Sequence, residues 1–351
     1  MREESLKFLE ELVNTPSPSG FEERAAEVWR KYVGPFVSGV RGDSLGNSIA
    51  TLNPGGSPRI MLCGHLDEIG MMVHHISDEG FLHVSAIGGL DTAVALGQRI
   101  VIHNKNGPVF GVMSRAAIHL LDDDEEIPKL HEISVDIGAV DKDDAQALVA
   151  VGDPITYDLQ FRQLRNGRVV ARGFDDRAGA WAFAEALRLL SSSNELTAEV
   201  VGVATVGEEN GFYGAYASSY SVNPDAALVV DLTHTTDSPH SSKEKHGDTQ
   251  LGKGPVMAIG SVTNRKVREL LEKVAEESRI PLQREACPKW SGTDADAVFV
   301  SRSGVATGLV SIPNRYMHTP VEIIHLDDLE NTAQLLASWC EAVDSDADFS
   351  L

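Results

Sequence analysis

Positive charge is scarce in this chain: 30 Lys and Arg stand against 52 Asp and Glu, for a formal net charge of −22. That balance excludes a phosphate backbone or an anionic membrane surface as partner, because either would be repelled. Cysteine is scarcer still. The three present, Cys63, Cys287 and Cys340, are odd in number and far apart, which argues against a disulfide framework and for a reducing cytoplasm. Long apolar runs are missing too. No stretch approaches the roughly 18 residues needed to cross a bilayer, and Met1-Arg2-Glu3-Glu4-Ser5-Leu6 begins a helical pattern in place of an apolar signal segment. Internal repeats, low-complexity linkers and nucleic-acid motifs are absent.

What is present is apolar material and acid. With 351 residues, 42% of them hydrophobic, the chain can fill an extensive core in one large domain or two smaller ones. The acidic clusters Asp122-Asp123-Asp124-Glu125-Glu126 and Asp344-Ser345-Asp346-Ala347-Asp348 read as solvated surface. Acid facing an interior would attract the cationic N-termini of peptides.

The most informative acids are Glu208 and Glu209, which follow the apolar run Val200-Val201-Gly202-Val203-Ala204-Thr205-Val206-Gly207. Adjacent residues leaving a strand point to opposite sides. One carboxylate can then bind something while the other moves protons, the division of labour of a metal-assisted hydrolase; a solvated acidic turn is the plainer alternative. Other segments share the form of an apolar run ending in polar residues. Ile60-Met61-Leu62-Cys63-Gly64-His65-Leu66-Asp67-Glu68 offers His65 as a metal ligand, with Asp67 able to accept the proton of its other nitrogen, or else a hydrogen-bonded structural histidine. Gly173-Phe174-Asp175-Asp176-Arg177-Ala178-Gly179 opens a helix; one aspartate serves as its N-cap and the other is left without a structural role. Ala226-Ala227-Leu228-Val229-Val230-Asp231 and Ser311-Ile312-Pro313-Asn314-Arg315-Tyr316-Met317-His318 add Asp231 and His318.

Ligands gathered from separated strand ends suit the carboxyl edge of an open α/β sheet. Here the ordered set GHLDE, FDDRAG, GEENG, VVDLTH and YMHTPVE resembles the M42 family of metallo-aminopeptidases, the TET-type and glutamyl-aminopeptidase-like enzymes, from near residue 65 to near residue 322. Thr15-Pro16-Ser17-Pro18-Ser19-Gly20-Phe21-Glu22 and Ser291-Gly292-Thr293-Asp294-Ala295 resemble it as well. The resemblance implies a zinc-peptidase-like catalytic domain with two metal ions bridged by Asp175; His65 and Asp231 complete one ion's ligands, and Glu209 and His318 the other's. Glu208 becomes the general base and later the acid, and Asp67 supports His65. The implied activity removes N-terminal residues from short peptides by way of a hydroxide bridging the ions. Imidazole and carboxylate ligands together suit Zn²⁺ or Co²⁺ and exclude a structural thiolate site.

Texture along the chain gives the organisation. Two helical patterns, near 5–13 and 21–33, precede His65, the second opened by a Ser19-x-x-Glu22 capping box. From about 70 to 157 the period is short and strand-like, a small β-barrel or sandwich. After Arg172, apolar strands alternate with helices near 178–190, 264–278 and 327–343. Site residues lie on both sides of the β-rich part, so the expected fold is α/β: an open mixed sheet flanked by helices over 1–69 and 163–351, with residues 70–162 inserted. In the resembling family such an insert mediates dimerisation, and dimers assemble into a hollow dodecamer.

Further residues have plainer expectations. Asp176 caps the helix or anchors Arg177. His234, His240 and His246 fall in a polar stretch, 233–249, that reads as a mobile loop, with His234 the one nearest the site. His74 and His75 read as structural strand residues, and Arg315 and Tyr316 as facing substrate. Alternatives in other classes are a two-metal carboxypeptidase or amidohydrolase, which would need a cation such as Arg315 for a substrate carboxylate; a glycoside hydrolase, which needs two carboxylates but not the histidines; and a non-catalytic metal-binding scaffold, which has no use for a free Glu208.

Overall fold

The computed structural model describes residues 1–120, 126–239 and 241–351. His240 and the acids Asp122 to Glu125 therefore lie outside the described residues. The strands in chain order are β1 (Gly39–Gly42), β2 (Ser48–Leu52), β3 (Arg59–His65), β4 (Gly70–Ile76), β5 (Leu82–Ile87), β6 (Arg99–Asn104), β7 (Gly107–Met113), β8 (Ser134–Asp136) and β9 (Pro154–Tyr157). They continue with β10 (Arg162–Gln163), β11 (Arg168–Ala171), β12 (Glu199–Thr205), β13 (Ala226–His234), β14 (Val256–Gly260), β15 (Gln283–Cys287), β16 (Ala306–Asn314) and β17 (Glu322–His325).

An eight-stranded mixed sheet in the order β1-β2-β12-β3-β13-β16-β14-β15 forms the body. Its centre, β12-β3-β13-β16, is parallel. Parallel strands covered on both faces need apolar residues at every position, and β12 is buried throughout while β13 is buried up to His234. One face packs on the helix Phe174–Leu190, which is buried nearly all round and is itself enclosed by the helices Glu3–Asn14, Glu23–Val33 and Leu326–Glu341. The other face packs Met61, Cys63, Val203 and Val229 under the helices Tyr213–Val222 and Ala295–Val298. Because the central strands run the same way, their carboxyl ends share one edge. His65 ends β3, Glu208 and Glu209 follow β12, Asp231 lies late in β13, and His318 follows β16.

Between β3 and β11 the chain leaves this sheet and makes a closed barrel, β4-β5-β8-β7-β6-β9, with its own core of Met71, Val84, Ile100, Val135 and Ile155 among others. His74 and His75 are exposed on β4. A three-stranded sheet, β10-β11-β17, adjoins the segment that carries Asp175. Among the described residues no helix is long and apolar enough to cross a membrane.

One local expectation is corrected. Glu22 closes no capping box: its Oε1 accepts the main-chain N–H of Gly20 (2.8 Å) and of Gly207 (3.1 Å), and the helix starts at Glu23 without a side-chain cap. Main-chain donors from its own turn and from the residue before Glu208 have won the carboxylate. The tail acids Asp344, Asp346 and Asp348 are exposed as expected, and the tail is tied to the body: Phe349 stacks on Trp339 and Lys266 binds the Asp348 carbonyl at 2.9 Å.

Candidate metal centre

Asp175 is where the candidate ligands meet. Ligand atoms of His65, Asp175 and Asp231 all lie within 4.8 Å of one another, as do those of Asp175, Glu209 and His318. His65 Nε2 is 3.4 Å from Asp175 Oδ1, and His318 Nε2 is 3.3 Å from Asp175 Oδ2 and 3.6 Å from Glu209 Oε2. Atoms bound to a tetrahedral ion at about 2.0–2.2 Å stand about 3.3–3.6 Å apart, so the donor set fits a zinc-sized cation on either side of Asp175.

Electrostatics point the same way. Burial, then the neighbouring Asp175, pushes the Asp231 carboxyl well above its ordinary range. Burial raises Glu208 to about 10, with Asp231, Asp294 and Glu209 adding to the effect, and raises Glu209 to about 8, helped by Asp175. Burial opposes ionisation of Asp175 too, yet hydrogen bonding from His318 and His65 holds it below the usual carboxylate range. His318, hydrogen-bonded to Asp175, is lifted to about 9. Buried carboxyls that cannot all ionise together are what a divalent cation relieves.

Asp67 organises the Glu208–Glu209 turn. Its Oδ1 and Oδ2 accept the main-chain N–H groups of Glu208 and Glu209, each at 3.1 Å. The two side chains then diverge: Glu209 joins the His318 group, while Glu208 Oε2 lies 3.7 Å from His65 Nε2 and belongs to neither ligand trio. His65 Nδ1 bonds the main-chain oxygen of Asp67 at 3.0 Å, with the carboxylate at 3.4 Å, so support for His65 comes from Asp67 mainly through its backbone. Asp176 caps as expected, accepting from Gly179 N–H (3.1 Å), and it also receives the His65 N–H (3.0 Å). A Cβ on Gly64 or Gly179 would fall 2.5 and 2.2 Å from its oxygens, which accounts for two glycines of the motifs. Arg177 is anchored elsewhere, on Glu68.

A cavity of about 790 Å³ opens onto Asp175, Glu208, Glu209, Asp231 and His318, and His234 also lines it. His246 is on a short exposed helix, Lys243–His246, and the polar stretch is closed at its base by Thr236 and Thr249. Arg315 is not free for substrate: Asp237 holds it through two bonds of 3.0 and 2.7 Å. Tyr316 lines a separate surface hollow with Val94 and Pro320.

Sequence reading passed over three buried acids. Glu68 lies between Arg172 and Arg177; Glu322 accepts the N–H of Asp175 (3.1 Å) and of His318 (3.0 Å); Asp294 receives the Thr205 hydroxyl. All three stand inside segments already singled out, and an acid sharing a motif with a ligand was the available signal.

The sequence model of the M42 glutamyl aminopeptidase family matches residues 46–335. A lysyl aminopeptidase of Pyrococcus furiosus is 33% identical over 340 residues, covering 95% of this chain and 96% of the relative. The crystal structure of a TET aminopeptidase from a marine-sediment Thaumarchaeota archaeon superposes with a TM-score of 0.93 at 32% identity, covering 97% of each chain. The TET1 peptidase of Pyrococcus horikoshii, which can assemble into a tetrahedron or a large octahedral shell, gives a TM-score of 0.85 at 30% identity over 95% of this chain and 98% of that one. Together with the clustered imidazole and carboxylate groups, these matches establish that the chain belongs to the M42 glutamyl aminopeptidase family and is a peptide-bond hydrolase.

Proposed function

We propose that the protein is a two-metal aminopeptidase that trims short peptides from a free N-terminus, with His65, Asp175 and Asp231 holding one divalent ion and Asp175, Glu209 and His318 the other. Zn²⁺ or Co²⁺ suits these donors. Such ions, when bound, supply Lewis acidity to the scissile carbonyl and lower the pKa of water. The protein's own contribution is proton transfer and orientation. Glu208, buried beside both trios and a member of neither, takes a proton from the attacking water and returns it to the leaving amine; that uncommitted carboxyl is the observation that carries this reading over a passive metal store. Asp67 fixes the turn that separates Glu208 from Glu209. The substrate's ammonium docks among the remaining carboxylates. The pairing of Arg315 with Asp237 disfavours the carboxypeptidase alternative, because it withdraws the cation which that reaction would use.

The barrel, with residues 70–162 as the inserted unit, serves as the dimerisation element, and dimers build a dodecamer. Large exposed apolar side chains on the insert, including Phe110, Ile118, Leu120 and Val151, support an assembly role. The three free cysteines suit cytoplasmic work.

A substrate panel tests the reading: aminoacyl-p-nitroanilides, a leucyl tripeptide free and N-acetylated, and soluble glucans, each with and without chelator. The free tripeptide should be shortened one residue at a time and the acetylated one left nearly intact, since removing the ammonium forfeits a factor of about 10⁴ where a buried site is left unpaired. Chelation should abolish turnover. Release of the C-terminal residue first, equal rates on both tripeptides, or glucan cleavage would each overturn it.

A further inference from the structure

The barrel reaches into the metal centre. Gly88 and Gly89 lie between β5 and the short helix Thr92–Ala95, on the barrel's rim. The Gly89 carbonyl oxygen is 2.9 Å from His318 Nδ1. A carbonyl can only accept, so Nδ1 carries the hydrogen and Nε2 of the neutral ring keeps its lone pair. Nε2 is the atom directed at Asp175 and Glu209. The rim is in close contact: a Cβ on Gly89 would stand 3.0 Å from His318 Nδ1, and one on Gly88, whose φ is +71°, 3.0 Å from Glu209 Oε2. The other trio is served from within the catalytic sheet, His65 Nδ1 by the Asp67 carbonyl and Asp231 Oδ1 by the Leu232 N–H at 2.7 Å.

The geometry points to Gly89 as a positioning residue: through its carbonyl the barrel rim fixes the tautomer and direction of His318, and so sets affinity at the Asp175–Glu209–His318 position and not at the His65–Asp175–Asp231 position. This rests on the two-metal reading above. Glu322 sets the main chain of His318 and Asp175, but it is on β17 and leaves the imidazole free to turn about its own χ angles. Among the described residues, only the rim holds the ring's far nitrogen.

The test is metal binding by the intact protein, stripped of metal and titrated with Zn²⁺ by calorimetry, and with Co²⁺ by visible absorption to distinguish the two coordination environments. Gly89→Ala should weaken one of the two ions by about 10–100-fold, the usual effect of losing a group that orients a ligand, and leave the other within about twofold. Asp91→Ala, which removes the 2.8 Å cap on the Ala93 N–H from the same rim, should keep both ions. Because Gly89→Ala adds bulk, a second perturbation replaces Leu90 by its α-hydroxy analogue. The resulting ester makes the Gly89 carbonyl a poorer acceptor and adds no atom beside His318; the same single ion should weaken, by less. Unchanged affinities in both variants, or equal weakening of both ions, would overturn the inference. If the unaltered protein bound fewer than two ions, the two-metal reading would fail first, and that result is read before any variant is made.

Discussion

Replacing Glu68 by alanine should be among the most destabilising single changes available in this chain. Glu68 is 2% exposed and faces two guanidinium groups that are equally hidden, Arg172 at 5% and Arg177 at 0%. It binds Arg172 through both oxygens and Arg177 at 2.9 Å, and accepts the Ser17 N–H at 3.0 Å. Burial opposes its charge, but the two arginines hold its carboxyl below the ordinary value. Removing one member of a buried pair costs about 3–5 kcal/mol, because the partner's charge is left uncompensated. That is two to nearly four powers of ten in the folding equilibrium, set against a total stability of about 5–15 kcal/mol. The two cations do not suffer equally. Arg177 still donates to the carbonyls of Gly173 and Thr15 at 2.9 and 2.6 Å, whereas among the described residues Arg172 keeps one bond, to Asn14 O at 3.2 Å, and its Nε has no partner. Combining Glu68→Ala with Arg172→Leu should therefore recover more stability than combining it with Arg177→Leu. Urea unfolding of the metal-loaded protein, followed by the fluorescence of buried Trp29 and Trp181, measures all four proteins. A loss below about 1 kcal/mol for Glu68→Ala, or equal recovery from both double variants, would refute the assignment of this triad as a charge-compensated unit.

Other expectations can be checked directly. Glu208→Gln should lower kcat by about 10²–10⁴-fold with both metals retained, whereas Glu209→Gln should lose metal as well; an exchange of these phenotypes would swap the two roles. Asp175→Ala should lose both ions and activity together, as read by elemental analysis, and two tightly held ions in that variant would rule out bridging. The barrel should lose stability in acid: burial, then the charge of Arg172, depresses His103 to about 4, with Thr156 Oγ1 2.8 Å from its Nε2. Its unfolded value is about 6.5, so the unfolded chain takes the proton first, and stability present above pH 6.5 should fall between about 6.5 and 4. Thermal scans across that window should show a flatter dependence for His103→Gln, and an unchanged slope would argue against the buried neutral ring. Light scattering should find particles far larger than the 37.8 kDa chain, and a monomer with full peptidase activity would dispose of the assembly role of the barrel.

The sequence displayed some of this plainly and concealed the rest for physical reasons. Runs such as 226–230 are apolar at every position, which only a strand covered on both faces explains, and the polar residue that ends each run marked the edge where the candidate ligands gather. The short-period segment before residue 157 showed as β-rich because turn residues punctuate it; that its strands close into a barrel depends on the pairing of β4 with β9, which no local pattern encodes. The helix Tyr213–Val222 escaped notice because YGAYASSYSV has scarcely any apolar stripe. The capping box suggested by the spacing of Glu22 from Ser19 is a local pattern, whereas one of the two donors that Glu22 takes, the Gly207 N–H, is 185 residues away. Gly89 had no signal at all: its contribution is a backbone oxygen, and it matters only through a histidine 229 positions later.

The sheet order also dictates a schedule of synthesis. β3 ends at residue 65, but its two neighbours, β12 and β13, begin at residues 199 and 226. While the ribosome makes the intervening chain, the strand bearing His65 has no partner on either side. The barrel, whose strands lie between residues 70 and 157 and share a core of their own, can close in that interval. Long-range pairing of this kind is slow and leaves an apolar strand open to wrong contacts. A nascent chain halted before residue 199 should therefore expose Ile60, Met61 and Leu62 to chaperones beside an already folded barrel, and the catalytic edge comes into being only when β16 has left the exit tunnel.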